Sequence, residues 1–284
     1  MADNQHNFIS SGIITPMITP LKDQNTLDLA GLEKLIEHIL AGGVKGLFIL
    51  GTTGEAPSLS YQLRQELIDK VYKQVNSRVP VLVGITDTSF VESIKLAKYA
   101  YEKGVKALVL APPYYFQISQ SDLLQYFKNL AANLPLPLYL YNMPGCTKVA
   151  IEPETVRKAA DIPGIVGIKD SSNDMMYLQK VKHLMADRPD FPLFIGPEEM
   201  LAEFLLLGGH GGVSGGSNMF PKLYVDIYNA ATSGDIHTCG KLHEIVIKIS
   251  TSIYTPSYLK GIKCALNVMG ICDGFMAEPF HCYK

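Results

Sequence analysis

Eight short apolar runs, each followed by a stretch with helical spacing, constrain this chain more than any other feature of its sequence. The runs are Gly12 to Thr19, Gly46 to Leu50, Val79 to Thr86, Ala107 to Ala111, Pro137 to Tyr141, Ile165 to Lys169, Pro192 to Gly196 and Gly212 to Gly215. Leu47-Phe48-Ile49-Leu50 and Leu108-Val109-Leu110 are apolar at successive positions. That pattern belongs to parallel strands covered on both faces, not to a half-exposed antiparallel sheet. Helices are expected between the runs, at Leu29 to Ala41, Tyr61 to Asn76, Phe90 to Lys103, Ser121 to Ala132, Pro153 to Ala160, Asp174 to Ala186, Glu198 to Leu207 and Pro221 to Ala231. Ser60 and Ser121 are placed to cap N-termini, and Pro153 suits a first turn. The glycines of Ala41-Gly42-Gly43, Lys103-Gly104 and Gly208-Gly209 suit left-handed C-terminal positions. Repeats of roughly 27 to 34 residues are the size of a βα unit. Eight of them favour a closed TIM (β/α)8 barrel over an open doubly wound sheet.

After about Ala231 the rhythm changes to helix alone, with amphipathic stretches at Ile236 to Ser250 and Pro256 to Met269. The expected organisation is a catalytic barrel over residues 1–231 and a helical extension over 232–284 packed on it, with no Pro- or Ser-rich linker between them. A length of 284 residues fits one large barrel domain. Hydrophobic residues at 47% and charged residues at 18% allow a substantial core and exclude wholesale disorder. A net charge of -2 gives no basic face for nucleic acid or an anionic membrane. The five cysteines, Cys146, Cys239, Cys264, Cys272 and Cys282, contain no C-x-x-C pair and read as reduced thiols in cytoplasm. Met1 to Ser11 lacks the pattern of a signal peptide, and no apolar stretch reaches the ~20 residues of a membrane span. Small-molecule chemistry is the expectation.

In such a barrel, active residues belong at the C-terminal ends of strands and in the loops that follow. Hydroxyls, tyrosines and one lysine converge there, without histidine. Lys169 ends Ile165-Val166-Gly167-Ile168, which places an ammonium at the mouth of an apolar barrel. An ordinary lysine is almost wholly protonated at neutral pH, and an apolar setting is what makes one nucleophilic. The plainer alternative is a snorkelling lysine paired with Asp170. Gly51-Thr52-Thr53-Gly54-Glu55 follows a buried strand and precedes a helix, so its N–H groups can cradle a carboxylate, although a plain βα turn reads the same way. Tyr141 ends its strand and can shuttle protons, or simply be a buried tyrosine with a satisfied hydroxyl. The stretch Gly208 to Ser217, including Ser214 and Gly215, fits no phosphate-loop spacing; its glycines are read first as giving a substrate close access to the backbone, with a phosphate site of the kind barrels form after strands seven and eight as the alternative. The seven histidines form no metal-ligand spacing; His38 and His183 read as structural, and His6, His210, His237, His243 and His281 lie outside the other strand-end motifs. No metal is expected.

Gly-Thr-Thr-Gly-Glu at 51 to 55, Tyr-Asn-Met-Pro at 141 to 144 and Gly-Ile-Lys-Asp at 167 to 170 stand in an order and spacing that resembles the dihydrodipicolinate synthase and N-acetylneuraminate lyase superfamily. The similarity runs from about Gly12 through the C-terminal helices. It implies a class I aldolase in which Lys169 forms an imine with pyruvate or another 2-keto acid and the imine nitrogen is the electron sink, so no cofactor is implied. By the same resemblance Tyr141 is the general acid/base, and Thr52 and Thr53 hold the keto-acid carboxylate with Gly51 in the same turn. Tyr115 looks like the family tyrosine lent by a neighbouring subunit to a relay of Tyr141, Thr52 and Tyr115, in a homotetramer built from dimers.

The resemblance divides over the second substrate. In the synthases an arginine follows the tyrosine motif and binds the carboxylate of aspartate semialdehyde; here Cys146 stands there, and a thiol cannot form that bidentate pair. Glu198 and Glu199 resemble the acidic pair with which sialic acid lyases contact sugar hydroxyls, and Ser171 stands where those enzymes place a hydroxyl residue. Gly215 and Gly216, however, replace hydroxyl side chains of those lyases. The order expected from sequence is therefore cleavage of a 2-keto-3-deoxy sugar acid or N-acetylneuraminate to pyruvate plus an aldehyde, then 4-hydroxy-tetrahydrodipicolinate synthase, then a sugar-acid dehydratase. A catalytically inactive ligand sensor is the alternative of a different class.

Overall fold

The computed structural model describes residues 8–255 and 257–281, so His6, Pro256 and Cys282 lie outside the described residues. Eight parallel strands close into a barrel: β1 (Gly12–Pro16), β2 (Gly46–Ile49), β3 (Val81–Gly84), β4 (Ala107–Leu110), β5 (Leu138–Asn142), β6 (Ile165–Asp170), β7 (Leu193–Ile195) and β8 (Gly211–Val213). Each pairs with its sequence neighbours, and β1 closes the ring against β8. Around the barrel lie α1 (Leu29–Ala41), α2 (Tyr61–Val75), α3 (Phe90–Glu102), α4 (Gln120–Ala131), α5 (Pro144–Thr147), α6 (Pro153–Ala159), α7 (Met175–Leu184), α8 (Leu201–Leu206) and α9 (Pro221–Thr232). The chain continues into α10 (Ile236–Ile253) and α11 (Tyr258–Val268). Among the described residues, no helix is long and apolar enough to cross a membrane.

Helix α2 shows why these segments fold as they do. Ser60 accepts from the Leu63 N–H, Leu63, Leu67, Ile68, Val71 and Val75 form its buried stripe, and Asn76 ends it at φ 46°. Gly43, Gly104 and Gly208 all take the left-handed backbone expected after α1, α3 and α8. Strand alternation divides the core in two. Ile14, Phe48, Leu82, Val109, Tyr139, Phe194 and Val213 fill the barrel interior, while a larger apolar layer joins strands to helices.

One irregularity in this frame positions the chemistry. Leu138 pairs with Ile165 but Tyr139 pairs with Gly167, so β6 holds an extra residue, Val166. The bulge brings Tyr141 beside Lys169 and Asn142 beside Asp170. Gly167 is required there, because a Cβ would lie 2.8 Å from the Tyr139 ring and 2.9 Å from the Pro192 carbonyl.

The structure departs from expectation at several ends. The first run stops at Pro16, and a hairpin of Leu21–Asp23 with Thr26–Leu27 crosses behind it. The cap of α4 is Ser119, not Ser121: its hydroxyl accepts from the Asp122 N–H at 3.1 Å, which leaves Ser121 inside the first turn. A single 3-10 turn, Glu198–Met200, precedes α8, and α5 is a further short helix.

Candidate active site

Lys169 points into the barrel because it follows the outward-facing Ile168 by one position on β6, and the residue is only 7% exposed. Its Nζ lies 4.2 Å from the centre of the Tyr141 ring and 5.4 Å from that of Phe48. Asp170, the partner a snorkelling lysine would use, faces the other way. Its Oδ1 accepts from Asn142 Nδ2 at 2.7 Å and its Oδ2 from the Ser172 hydroxyl at 2.8 Å. Asn142 in turn accepts from the Ile151 N–H, so this outward layer welds β5 to β6 behind the lysine. Tyr141 is buried, with its hydroxyl 3.3 Å from Thr52 Oγ1. One phenol therefore has its ring against the amine and its hydroxyl on the Gly-Thr-Thr-Gly-Glu loop.

Above them opens a cavity of about 260 Å³ lined by Phe48, Thr52, Thr86, Tyr114, Tyr141 and Cys146, among others. None of the residues lining it carries a positive charge. Burial pushes the Cys146 thiol up, and the charge of Lys169 opposes that shift.

The loop after β2 is held from outside the barrel. Leu50 and Glu55, at its two ends, both adopt left-handed backbone, and a Cβ on Gly84 would strike the Leu50 carbonyl at 2.0 Å. Thr19 donates to the Gly54 carbonyl at 2.7 Å. Glu55 is buried, ion-paired with Lys263 of α11, and accepts from the Ala277 N–H at 2.9 Å. The C-terminal segment thus fastens the loop that carries Thr52 and Thr53.

The other sequence-predicted positions are not all brought together. Gly51 packs its α-carbon against Phe48, where a Cβ would come within 2.7 Å of the ring. Ser171 turns its hydroxyl into the space left by Gly196. Ser214 is fully buried, with no hydrogen-bond partner for its hydroxyl, and the inward-facing residue of that strand end is Val213. Both oxygens of Glu198 are taken: Oε2 accepts from the Gly216 N–H at 2.8 Å, and Oε1 from Tyr224 at 2.8 Å and from Tyr254. Glu199 accepts from Ser250. Tyr115 is 78% exposed with its ring against Phe116, and it is Tyr114 that lines the cavity.

Sequence reading missed Tyr224, Tyr254, Tyr258 and Lys263, all from α9 or the helices after it. The signal for them was indirect: Gly215 and Gly216 are glycine because Cβ atoms there would lie 1.5 Å from the Tyr258 hydroxyl and 1.9 Å from that of Tyr224. Among the described residues, no group of three or more histidine, cysteine, aspartate or glutamate side chains is gathered where it could hold a metal ion.

Known proteins share this frame. The Dihydrodipicolinate synthetase family profile matches residues 9–283. A 4-hydroxy-tetrahydrodipicolinate synthase of Bacillus subtilis (strain 168) is 35% identical over 269 residues, which cover 94% of this chain and 92% of the relative. The structure of dihydrodipicolinate synthase from Bacteroides thetaiotaomicron superposes with a TM-score of 0.94 at 52% identity, covering 97% of this chain and 94% of that one. A prophage protein of the dihydrodipicolinic acid synthase family from E. coli K12, solved in complex with pyruvate, has a TM-score of 0.92 at 31% identity, covering 96% and 93%.

Proposed function

The chain belongs to the dihydrodipicolinate synthetase family of pyruvate-dependent, lysine-imine lyases, and from that premise we propose that it condenses pyruvate with aspartate semialdehyde. The observation that carries the chemistry is the double contact of Tyr141, ring to Lys169 and hydroxyl to Thr52. Lys169 Nζ attacks C2 of pyruvate, water leaves, and the resulting iminium loses a C3 proton to become an enamine. The enamine carbon attacks the aldehyde, Tyr141 delivers a proton to the new alkoxide, and water releases the product from Lys169. Thr52 and Thr53 hold the pyruvate carboxylate. Tyr115, exposed beside Phe116, is lent to the neighbouring subunit as the third hydroxyl of the relay.

The names of the relatives support the synthase reaction over sugar-acid cleavage, reversing the order expected from sequence. So does the enclosure of Glu198, whose carboxylate is saturated by two tyrosines and a backbone N–H and is not free for a polyol. A second reading, retro-aldol cleavage of a 2-keto-3-deoxy sugar acid, is favoured by one observation: Cys146 lines a cavity without a cation for a second carboxylate. Assaying the protein with pyruvate plus aspartate semialdehyde, and in parallel with 2-keto-3-deoxygluconate, separates the two. The proposal expects the higher specificity constant for condensation. Efficient sugar-acid cleavage without condensation would reverse it and leave the imine chemistry intact.

A further inference from the structure

Beyond α11 the chain runs back as a strap over the segments that follow β1 and β2. Three of its backbone N–H groups are taken by side chains there: Asp273 donates to Asp28 Oδ2 at 3.1 Å, Glu278 to Gln24 Oε1 at 2.9 Å and Ala277 to Glu55 Oε2 at 2.9 Å. Lys263 of α11 closes the clasp from the other side. It is 1% exposed, pairs with Glu55 Oε1, and donates to the Phe275 carbonyl of the strap at 2.6 Å. Both carboxylate oxygens of Glu55 are therefore held, one by α11 and one by the strap.

What this hold maintains is a backbone conformation. Glu55 stands at φ 55°, a left-handed setting that a residue with a side chain keeps only where its surroundings impose it. From there its N–H donates to the Thr52 carbonyl at 3.1 Å, which closes a turn with Thr53 and Gly54 at its centre. The same turn carries the Thr52 hydroxyl that lies 3.3 Å from Tyr141.

We propose that Glu55 and Lys263 are positioning residues of the pyruvate site: clamped between α11 and the strap, Glu55 holds the turn from which Thr52 and Thr53 meet the keto-acid carboxylate, so that pyruvate binding and docking of the strap support one another. This rests on the pyruvate-imine reading and on the two threonines as carboxylate donors. The coupling runs both ways by linkage: loosening the strap weakens pyruvate binding, and bound pyruvate tightens the strap. Neither side chain lines the cavity over Lys169, so loss of the pair acts on KM and spares kcat.

The test has two arms, both on the full chain and neither needing a second substrate. In the first, pyruvate is titrated while sodium borohydride traps the imine. Glu55→Gln combined with Lys263→Met leaves no unpaired buried charge, and should raise the half-saturating pyruvate concentration about five- to tenfold, the effect of one lost charge-assisted hydrogen bond. In steady state its kcat should stay within about twofold of wild type. The second arm follows amide hydrogen exchange in the wild-type protein before and after pyruvate is trapped, and so holds whether or not the variant folds. The Ala277 N–H should exchange about tenfold more slowly in the adduct, while the amides of α3 change less than about twofold. A folded double variant with wild-type pyruvate dependence, or exchange at Ala277 indifferent to pyruvate, would overturn the proposal alone. An absence of trapping in the wild-type protein would overturn the imine reading beneath it.

Discussion

Lys169 and Asp170 are adjacent in sequence and opposite in environment, and strand alternation is the whole cause. The lysine enters the barrel; the carboxylate enters the layer behind it, where burial raises its pKa to about 6 against the hydrogen bonds from Asn142 and Ser172. Glu198 is a stronger case. Burial lifts it from 4.5 to about 7, with Glu199 adding repulsion, although Tyr254, Gly216 and Tyr224 all stabilise the ionised form. A carboxyl with a raised folded-state pKa binds its proton more tightly folded than unfolded. Its contribution is therefore complete below 4.5 and is lost as pH climbs to about 7. Glu198→Gln keeps an oxygen to accept from the Gly216 N–H, turns its amide N–H groups to Tyr224 and Tyr254 as donors, and removes the titration. Its stability relative to wild type should rise by roughly 2 to 3 kcal/mol between about pH 5 and about pH 8. Urea denaturation at the two pH values measures this, and a difference that does not change with pH would show that Glu198 is not the titrating group.

At the level of elements, α11 is the part whose role could not be read beforehand. Its amphipathic pattern was visible between Pro256 and Met269, but a lysine and a tyrosine on a helix ordinarily read as solvated. The partner of Lys263, Glu55, lies some two hundred residues earlier, and the seat of Tyr258, Gly215, follows another strand, so neither answers to a local spacing rule. Lys263→Met should leave Glu55 buried with only the Ala277 N–H and destabilise the fold by about 3 to 5 kcal/mol. Adding Glu55→Gln, which still accepts from that N–H, should recover most of the loss. A denaturation midpoint for Lys263→Met equal to that of wild type would refute the clasp. The strands, in contrast, were legible because each is covered on both faces and so is apolar at successive positions, as Leu47 to Leu50 is. The hairpin of Leu21–Asp23 and Thr26–Leu27 was not, since two- and three-residue strands are too short to establish a period. The α4 cap was misplaced by two positions because Ser119 and Ser121 offer the same hydroxyl, and only the Asp122 that bonds back to Ser119 distinguishes them.

Over the whole molecule, the closed barrel converges the strand ends on one mouth, and the C-terminal helices complete it from the β8 side. Lys169, Tyr141 and Thr52, expected at one mouth from the sequence, lie together there because strand ends are the place where chain position dictates proximity in this fold. Sequence reading misjudged the surroundings of Glu198 because the tyrosines that occupy it come from α9 and the far end of α10. The same distance hid the reason for Gly215 and Gly216, which looked like missing hydroxyls and are the seats of tyrosine hydroxyls supplied by α9 and α11. One amine in this frame, that of Lys169, is the proposed nucleophile, with its Nζ 4.2 Å from the centre of the Tyr141 ring. Incubating the protein with pyruvate and borohydride, then digesting it and mapping the adduct by mass spectrometry, tests that most directly. A reduced pyruvate adduct on Lys169 that disappears in Lys169→Ala is the predicted result; an adduct on another lysine, or none while the enzyme turns over, would contradict it.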